Sequence, residues 1–93
     1  MPVQSPAVRC RNFDEVALGY DERTAMEEAR RCLDCPGAPC RTGCPVRVRI
    51  PEFIAKVAEG DFDAAWEILS VENTLPAVCG RVCPQENQCQ AVC

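Results

Sequence analysis

The chain has 93 residues, the length of one small domain, and its 14 acidic and 10 basic residues leave a formal net charge of −4. This balance offers no attraction to nucleic acid, and no apolar run of about 18 residues exists that could cross a membrane as a helix, so neither partner is expected. Nine cysteines and no histidine exclude mixed cysteine–histidine zinc sites. A chain of this length builds only a marginal core, so this many cysteines indicate stabilisation by metals or disulfides.

The first twelve residues are interpreted as an arm (residues 1–12) in front of a domain over residues 13–93, since they contain two prolines and no periodic pattern. Asp21 is a suitable helix N-cap, and the apolar residues behind it recur at helical spacing over about residues 22–33. We therefore predict a helix there that turns Cys32 towards the interior.

The next segment, residues 34–49, is predicted to be an irregular loop because three prolines and two glycines interrupt it. Beyond the loop, Trp66 falls on the expected inward face of the second of two paired helices. No segment alternates as a strand does, so the predicted fold class is all-α, with loops at the metal sites. The elements predicted after the loop are helices over about 51–59 and 62–72, a turn over about 75–80 and a short helix over about 85–92.

Eight of the nine cysteines fall into two blocks of four. Two sets of four thiolates are what two tetrahedral metal or iron–sulfur centres require. The first ten residues lack the apolar stretch of a signal peptide, so the expected location is the cytoplasm, where clustered cysteines are typical of metal ligands. The pattern therefore indicates an electron-carrying module, with Cys10 as a thiol outside it. The blocks are Cys32-x2-Cys35-x4-Cys40-x3-Cys44 and Cys79-x3-Cys83-x5-Cys89-x3-Cys93.

The end of the first block, Cys40-x3-Cys44-Pro45, matches the last step of bacterial ferredoxin motifs, in which the fourth cysteine binds the other cluster. Cys44 is therefore expected to cross over to the second centre, and the first block then needs one ligand from the second block. Alternatives stay open at this point. The same eight thiolates could hold two structural zinc ions, or the chain could be a metal-free structural module whose helices dock a partner. An exported chain could instead use a disulfide framework.

Four stretches carry a family resemblance. They resemble the N-terminal iron–sulfur domain of the glutamate synthase small (beta) subunit, over nearly the whole chain from about residue 10. Similar domains occur in dihydropyrimidine dehydrogenase and in the large subunit of NADH-dependent ferredoxin:NADP oxidoreductase, which remain alternatives. The stretches are NFDEVALGY, EEARRCLDC, CRTGCPVRVRIPEFI and LPAVCGRVCPQENQCQAVC.

The resemblance implies an α-helical ferredoxin fold that holds two [4Fe-4S] clusters. The fourth ligand of the second cluster in relatives is a Gln or Glu further downstream, and the residue at Cys79 is usually not a ligand. Here Cys79 is a candidate substitute ligand; otherwise the second site holds a three-iron [3Fe-4S] or incomplete cluster. The ligands that the resemblance implies are Cys32, Cys35, Cys40 and Cys93 for the first cluster, and Cys44, Cys83 and Cys89 for the second.

The resemblance also implies partners. In the family, FAD-binding and NAD(P)-binding domains follow this one, and none of their motifs occurs in this chain. We therefore expect the chain to be a fragment of a longer subunit that also contains an FAD/NAD(P)-binding domain. In relatives, electrons pass from NADPH through FAD and the clusters towards a flavin site on a glutamate synthase large-subunit-like partner. No catalytic site is expected in this chain alone.

Overall fold

The computed structural model describes residues 1–93 and contains six α-helices, two 3₁₀ helices and no strand. The all-α fold class predicted from the sequence is confirmed. No helix combines the length and the apolar composition that a membrane crossing requires. The α-helices are α1 (Pro6–Arg9), α2 (Glu22–Ala29), α3 (Pro39–Gly43), α4 (Ile50–Glu59), α5 (Phe62–Glu72) and α6 (Pro76–Val82), and the 3₁₀ helices are Gln85–Asn87 and Gln90–Val92.

Two of the longer helices begin at aspartates that the sequence identifies as N-caps. Asp21 Oδ1 accepts a hydrogen bond of 2.7 Å from the backbone N–H of Thr24 at the start of α2. Asp61 Oδ1 accepts one of 3.0 Å from the N–H of Ala64 at the start of α5. Each bond satisfies an N–H group that the helix itself leaves without a partner. These helix starts are therefore encoded locally.

The helices α4 and α5 form a hairpin, and α2 packs on α4 from the other side. Gly60 ends α4 with φ at 84°, a left-handed conformation that costs glycine no steric penalty. A Cβ on this glycine would lie 3.3 Å from Cε of Met26 on α2, so the turn of the hairpin also contacts α2. We call α2, α4 and α5 together the helical half of the molecule.

The remaining elements carry most of the cysteines, and we call α3, α6 and the two 3₁₀ helices the cysteine half. In it, α3 packs on the second 3₁₀ helix, which also packs on the first. The N-terminal arm pairs with the segment just before α2. Gln4 N donates to Val16 O at 2.8 Å, and Leu18 N donates to Pro2 O at 2.9 Å. The molecule measures 44 × 27 × 24 Å.

The interior is very small for a chain of this length. Only Val48, Ala65 and Asn73 are buried, and no large side chain is fully enclosed. Folding a small domain normally hides much more apolar surface than this. The protein atoms alone therefore leave the chain short of a hydrophobic core.

The predicted helix over 22–33 is too long at its end. It stops at Ala29, and two i→i+3 turns follow before Asp34 adopts φ of 46°, which a right-handed helix cannot contain. As a result Cys32 is exposed rather than turned inwards, and the neighbouring Leu33 is 85% exposed. The predicted end of this helix and the predicted inward position of Cys32 were therefore both wrong.

Four further predictions need correction. The loop over 34–49 contains the helix α3, which Pro39 initiates because its ring pre-sets the helical φ. The helix over 85–92 is instead two 3₁₀ turns, separated where Gln88 takes φ of −124° and ψ of −114°. Trp66 is 56% exposed, because its neighbour Ala65 occupies the inward position of α5. The turn over 75–80 is part of a full helix, α6.

Candidate metal centre

All nine cysteines are free thiols. Four cysteines of the two sequence blocks cap short elements of the cysteine half, Cys40 and Cys79 lie within α3 and α6, and Cys32 and Cys35 lie between α2 and α3. Cys44 is the C-cap of α3 and Cys83 is the C-cap of α6. Cys89 and Cys93 flank the second 3₁₀ helix. Helix ends present side chains together with unpaired backbone groups, so these positions can face a common centre.

One group of thiols surrounds Cys40 on α3. Burial is the main cause that raises the pKa of the Cys40 thiol, and the nearby thiols of Cys32 and Cys93 raise it further. Hydrogen bonds from the backbone N–H groups of Arg41 and Cys40 act in the opposite direction. Three cysteines that are distant in sequence therefore share one neighbourhood. Cys35 is exposed and does not contribute to this rise in pKa.

A second group of thiols lines a cavity of about 390 Å³, and its members are Cys44, Cys79, Cys83 and Cys89. Burial is the main cause that raises the pKa of the Cys83 thiol, followed by the charge and hydrogen bond of Cys79 and the charges of the other two. Apolar side chains form much of the remaining wall, namely Val46, Val48, Ile50, Phe53, Ile54 and Leu69.

Asn73 is the one buried polar residue, and it lies in the wall of this second cavity. Its Oδ1 accepts a hydrogen bond of 3.1 Å from the backbone N–H of Leu75. Since a backbone N–H can only donate, the side-chain atom there is the carbonyl oxygen. The same oxygen lies 3.5 Å from Sγ of Cys79, which donates to it. The side chain of Cys79 therefore contacts Asn73 as well as lining the cavity.

The donor set fits a sulfur-ligated centre. Two groups of unpaired thiols, without imidazole in the chain, suit zinc or iron–sulfur clusters. No three His, Cys, Asp or Glu side chains converge as ligands of a single ion do. A cluster distributes its thiolates over separate iron atoms, so its ligands do not need to meet around one point.

Comparison with known families decides between these two kinds of centre. The model of the family described as dihydropyrimidine dehydrogenase domain II, 4Fe-4S cluster, matches residues 9–93. The chain belongs to this family. It is therefore an iron–sulfur domain, and the resemblance inferred from the sequence is confirmed.

Individual relatives point the same way. The chain is similar to the glutamate synthase [NADPH] small chain of Azospirillum brasilense, with 35% identity over 100% of this chain and 20% of the relative. It is also similar to the Halomonas elongata protein of the same name, with 40% identity over 99% of this chain and 20% of the relative. A third relative is subunit PreT of the NAD-dependent dihydropyrimidine dehydrogenase of Salmonella typhimurium, with 41% identity over 87% of this chain and 20% of the relative. The chain thus spans about a fifth of the length of these relatives.

The structure leaves Cys10 apart from both thiol groups, on the exposed arm, where its Sγ donates to Ala7 O at 3.5 Å. Two residues beside the centres were not recognised from the sequence. Asn73 stands in no recognisable motif, and Gly43 is one of the two glycines that interrupt the predicted loop over 34–49. Neither residue type carries a sequence signal for a role near a thiol group, because that role depends on partners elsewhere in the chain.

Proposed function

We propose that this chain is an electron-transfer module that carries two [4Fe-4S]-type clusters within an NAD(P)H-dependent oxidoreductase of the glutamate synthase type. One observation carries the proposal: cysteines from both sequence blocks mix to form two separate thiol groups. Cys40 has a thiol neighbour from the second block, and Cys83 has one from the first. Bound clusters of this kind accept and release electrons.

The proposed ligands follow the sequence expectation. The two sites share α3, where Cys40 lies in the helix and Cys44 is its C-cap, four residues or about 6 Å further along the axis. A short separation of this kind suits electron transfer between neighbouring sites. Proline follows three of the proposed ligands, where it removes an N–H group that would otherwise need a partner. The ligands are Cys32, Cys35, Cys40 and Cys93 for the first site, and Cys44, Cys83 and Cys89 for the second.

Cys79 has a different proposed role. Its Sγ donates to the carbonyl oxygen of Asn73 at 3.5 Å, a contact that a metal-bound thiolate, which has no proton to donate, could not make. We propose that Cys79 remains a thiol beside the second cluster. The fourth position would then be filled from outside residues 1–93, by a Gln or Glu as the resemblance implies, and the chain alone would hold a three-iron cluster there.

The partners belong to the same proposal. The named relatives include NADPH-dependent and NAD-dependent enzymes, and this chain matches about a fifth of each. These findings support an FAD/NAD(P)-binding domain as the electron donor or acceptor on one side. A large-subunit-like protein with a flavin site is the proposed partner on the other. The PreT relatives, at 41% identity, support a pyrimidine-reducing enzyme as the second candidate.

The proposal is tested by measuring iron, acid-labile sulfide and zinc per chain after anaerobic reconstitution with iron and sulfide. We expect about seven irons with matching sulfide, and reversible reduction in a potentiometric titration. A count of about eight would support the two clusters but would make Cys79 the fourth ligand. Zinc bound in preference to iron, without sulfide, would overturn the electron-transfer function, and so would a chain that takes up no iron.

A further inference from the structure

Gly43, the last residue of α3, lies unusually close to a segment near the end of the chain. A Cβ on this glycine would lie 2.8 Å from Cγ2 of Val92, 2.9 Å from the carbonyl oxygen of Gln88 and 3.2 Å from Cα of Cys89. The φ of Gly43 is not in the left-handed region, so its backbone conformation does not require glycine. The requirement comes from the close approach alone.

The two segments that meet at Gly43 each carry a pair of proposed cluster ligands. On one side are Cys40 and Cys44, and on the other Cys89 and Cys93, and three residues separate the members of each pair. Each pair supplies one thiol to each of the two thiol groups. The contact at Gly43 therefore lies between the two sites and joins the only segments that contribute to both.

We infer that Gly43 is a positioning residue that sets the separation between α3 and residues 88–92 and thereby the ligand geometry of both clusters. The inference rests on the proposed function, because it requires the two sites to hold clusters. A methyl group here overlaps backbone atoms of Gln88 and approaches the backbone of Cys89, and these cannot rotate away as a side chain can. The two segments must move apart, and each site then has one ligand displaced relative to another.

Gly80 offers a matched control. It lies within α6, next to Cys79 in the wall of the second cavity, and a Cβ there would meet no protein atom within 4 Å. Its φ is likewise outside the left-handed region. Gly→Ala in a helix normally favours the helix. Gly43→Ala and Gly80→Ala are thus the same substitution in two helices that carry cluster thiols, and they differ in whether the new methyl group has space.

The experiment compares the unchanged chain, Gly43→Ala, Gly80→Ala and Cys40→Ser after anaerobic reconstitution with iron and sulfide. The readouts are iron and sulfide per chain and the EPR spectrum of the reduced protein, which reports the magnetic interaction between two neighbouring clusters. We expect Gly43→Ala to lose more than half of the iron, from both sites, and to lose the interaction between clusters. Gly80→Ala, whose methyl group meets no other segment, should keep the first cluster, and Cys40→Ser should lose only the first cluster.

Each other outcome decides the matter. If Gly43→Ala keeps the iron content and the EPR spectrum of the unchanged chain, the close approach does not position the clusters. If it loses one cluster only, as Cys40→Ser does, the contact does not serve both sites. If the unchanged chain itself binds no iron and sulfide, the proposed function fails, and this inference fails with it.

Discussion

Asn73 connects the two halves of the molecule at the scale of a single side chain. It follows the last residue of α5, and its Oδ1 accepts hydrogen bonds from Leu75 N and from Cys79 Sγ. The first bond shapes the turn that leads into α6, as Asn side chains often do two residues ahead of a helix. The second holds the thiol that lies one helical turn before Cys83. A buried amide thus orients the start of the helix that ends at a proposed ligand.

Replacing Cys79 by Ser tests this arrangement. A serine hydroxyl can also donate to Asn73 Oδ1, so we expect Cys79→Ser to keep the iron content of the unchanged chain. The control is Cys83→Ser, which should lose the second cluster, about three irons per chain. Iron analysis after anaerobic reconstitution distinguishes the variants. If Cys79→Ser loses as much iron as the control, Cys79 is a ligand and its bond to Asn73 breaks on cluster binding.

Cys40 is expected to be indispensable for the first cluster. It is the half-buried member of its thiol group, so Cys40→Ser leaves a weaker donor where the other ligands converge. We predict the loss of about four irons per chain and a lower melting temperature, since metal binding and folding are coupled in small metal-binding domains. Cys10→Ser, on the exposed arm, is the matched control and should change neither quantity. Full iron content in Cys40→Ser would refute the ligand role.

Glu15 and Arg81 form an ion pair between the segment before α2 and α6, and it is sensitive to pH. The hydrogen bond and positive charge of Arg81 hold the pKa of Glu15 below its ordinary value of 4.5. A lowered pKa in the folded state stabilises the fold above the ordinary pKa, and this contribution is lost as the pH falls through the folded-state pKa. Both side chains are more than half exposed, so the effect is small.

This pair should hold the N-terminal residues in place at neutral pH. We predict that Glu15→Gln lowers the hydrogen-exchange protection of the Gln4 and Leu18 amides, which bond to Val16 O and Pro2 O. The difference from the unchanged chain should disappear at a pH well below 4.5, where Glu15 is itself protonated. Asp14→Asn, which removes a carboxylate without an ion pair, is the control. Equal protection at neutral pH would show that the ion pair does not anchor this segment.

Among the elements, the hairpin of α4 and α5 depends on its turn. Gly60 has φ of 84°, and a Cβ there would also approach Met26 on α2. Any other residue pays the steric cost of the left-handed conformation, about 1–2 kcal/mol. The turn is therefore the position at which one methyl group disturbs all three helices of the helical half.

We predict that Gly60→Ala lowers the free energy of unfolding of the cluster-loaded chain by about 1–2 kcal/mol. Gly80→Ala, in the interior of α6 with open space around it, should raise it by about 0.5–1 kcal/mol. Denaturation followed by circular dichroism measures both values. The opposite order of the two variants would mean that the conformation at Gly60 is not what restricts this position.

At the scale of the whole molecule, the two halves differ in how their elements are held together. In the helical half, capped helices pack on one another through α4. In the cysteine half, short elements surround two groups of thiols, and almost nothing is buried. Because metal binding supplies folding free energy in such domains, the clusters would take the place of the missing core in this half.

Cluster removal should therefore unfold the molecule in part. We predict that an iron chelator under oxidising conditions abolishes hydrogen-exchange protection in residues 39–43 and 76–93, while residues 50–72 keep most of theirs. Mass spectrometry of exchanged peptides resolves the two regions, and circular dichroism should retain a substantial part of its helical signal. Uniform loss of protection across the chain would mean that the helical half also depends on the clusters. Unchanged protection would mean that neither half does.

Several features followed from the sequence alone, and they are local ones. The Asp21 and Asp61 caps bind N–H groups three residues away, and Gly60 ends its own helix, so nearby residues suffice to predict them. The all-α class and the two blocks of cysteines were equally visible. The spacing alone predicted that Cys44 belongs to the second site. That Cys93 completes the first site in its place was implied only by the family resemblance.

Tertiary structure decided the rest. Both Ala65 and Trp66 were expected to face inwards, but only Ala65 is buried, because the rotation of α5 against its neighbours decides which side chains are covered. The bond between Asn73 and Cys79, and the close approach at Gly43, depend on where separate segments meet. Cysteine identity and spacing limit what chemistry this chain can hold, because thiolates are the usual ligands of iron–sulfur clusters. The folding of distant segments onto one another decides which thiols share a site, because no short stretch of sequence contains both partners.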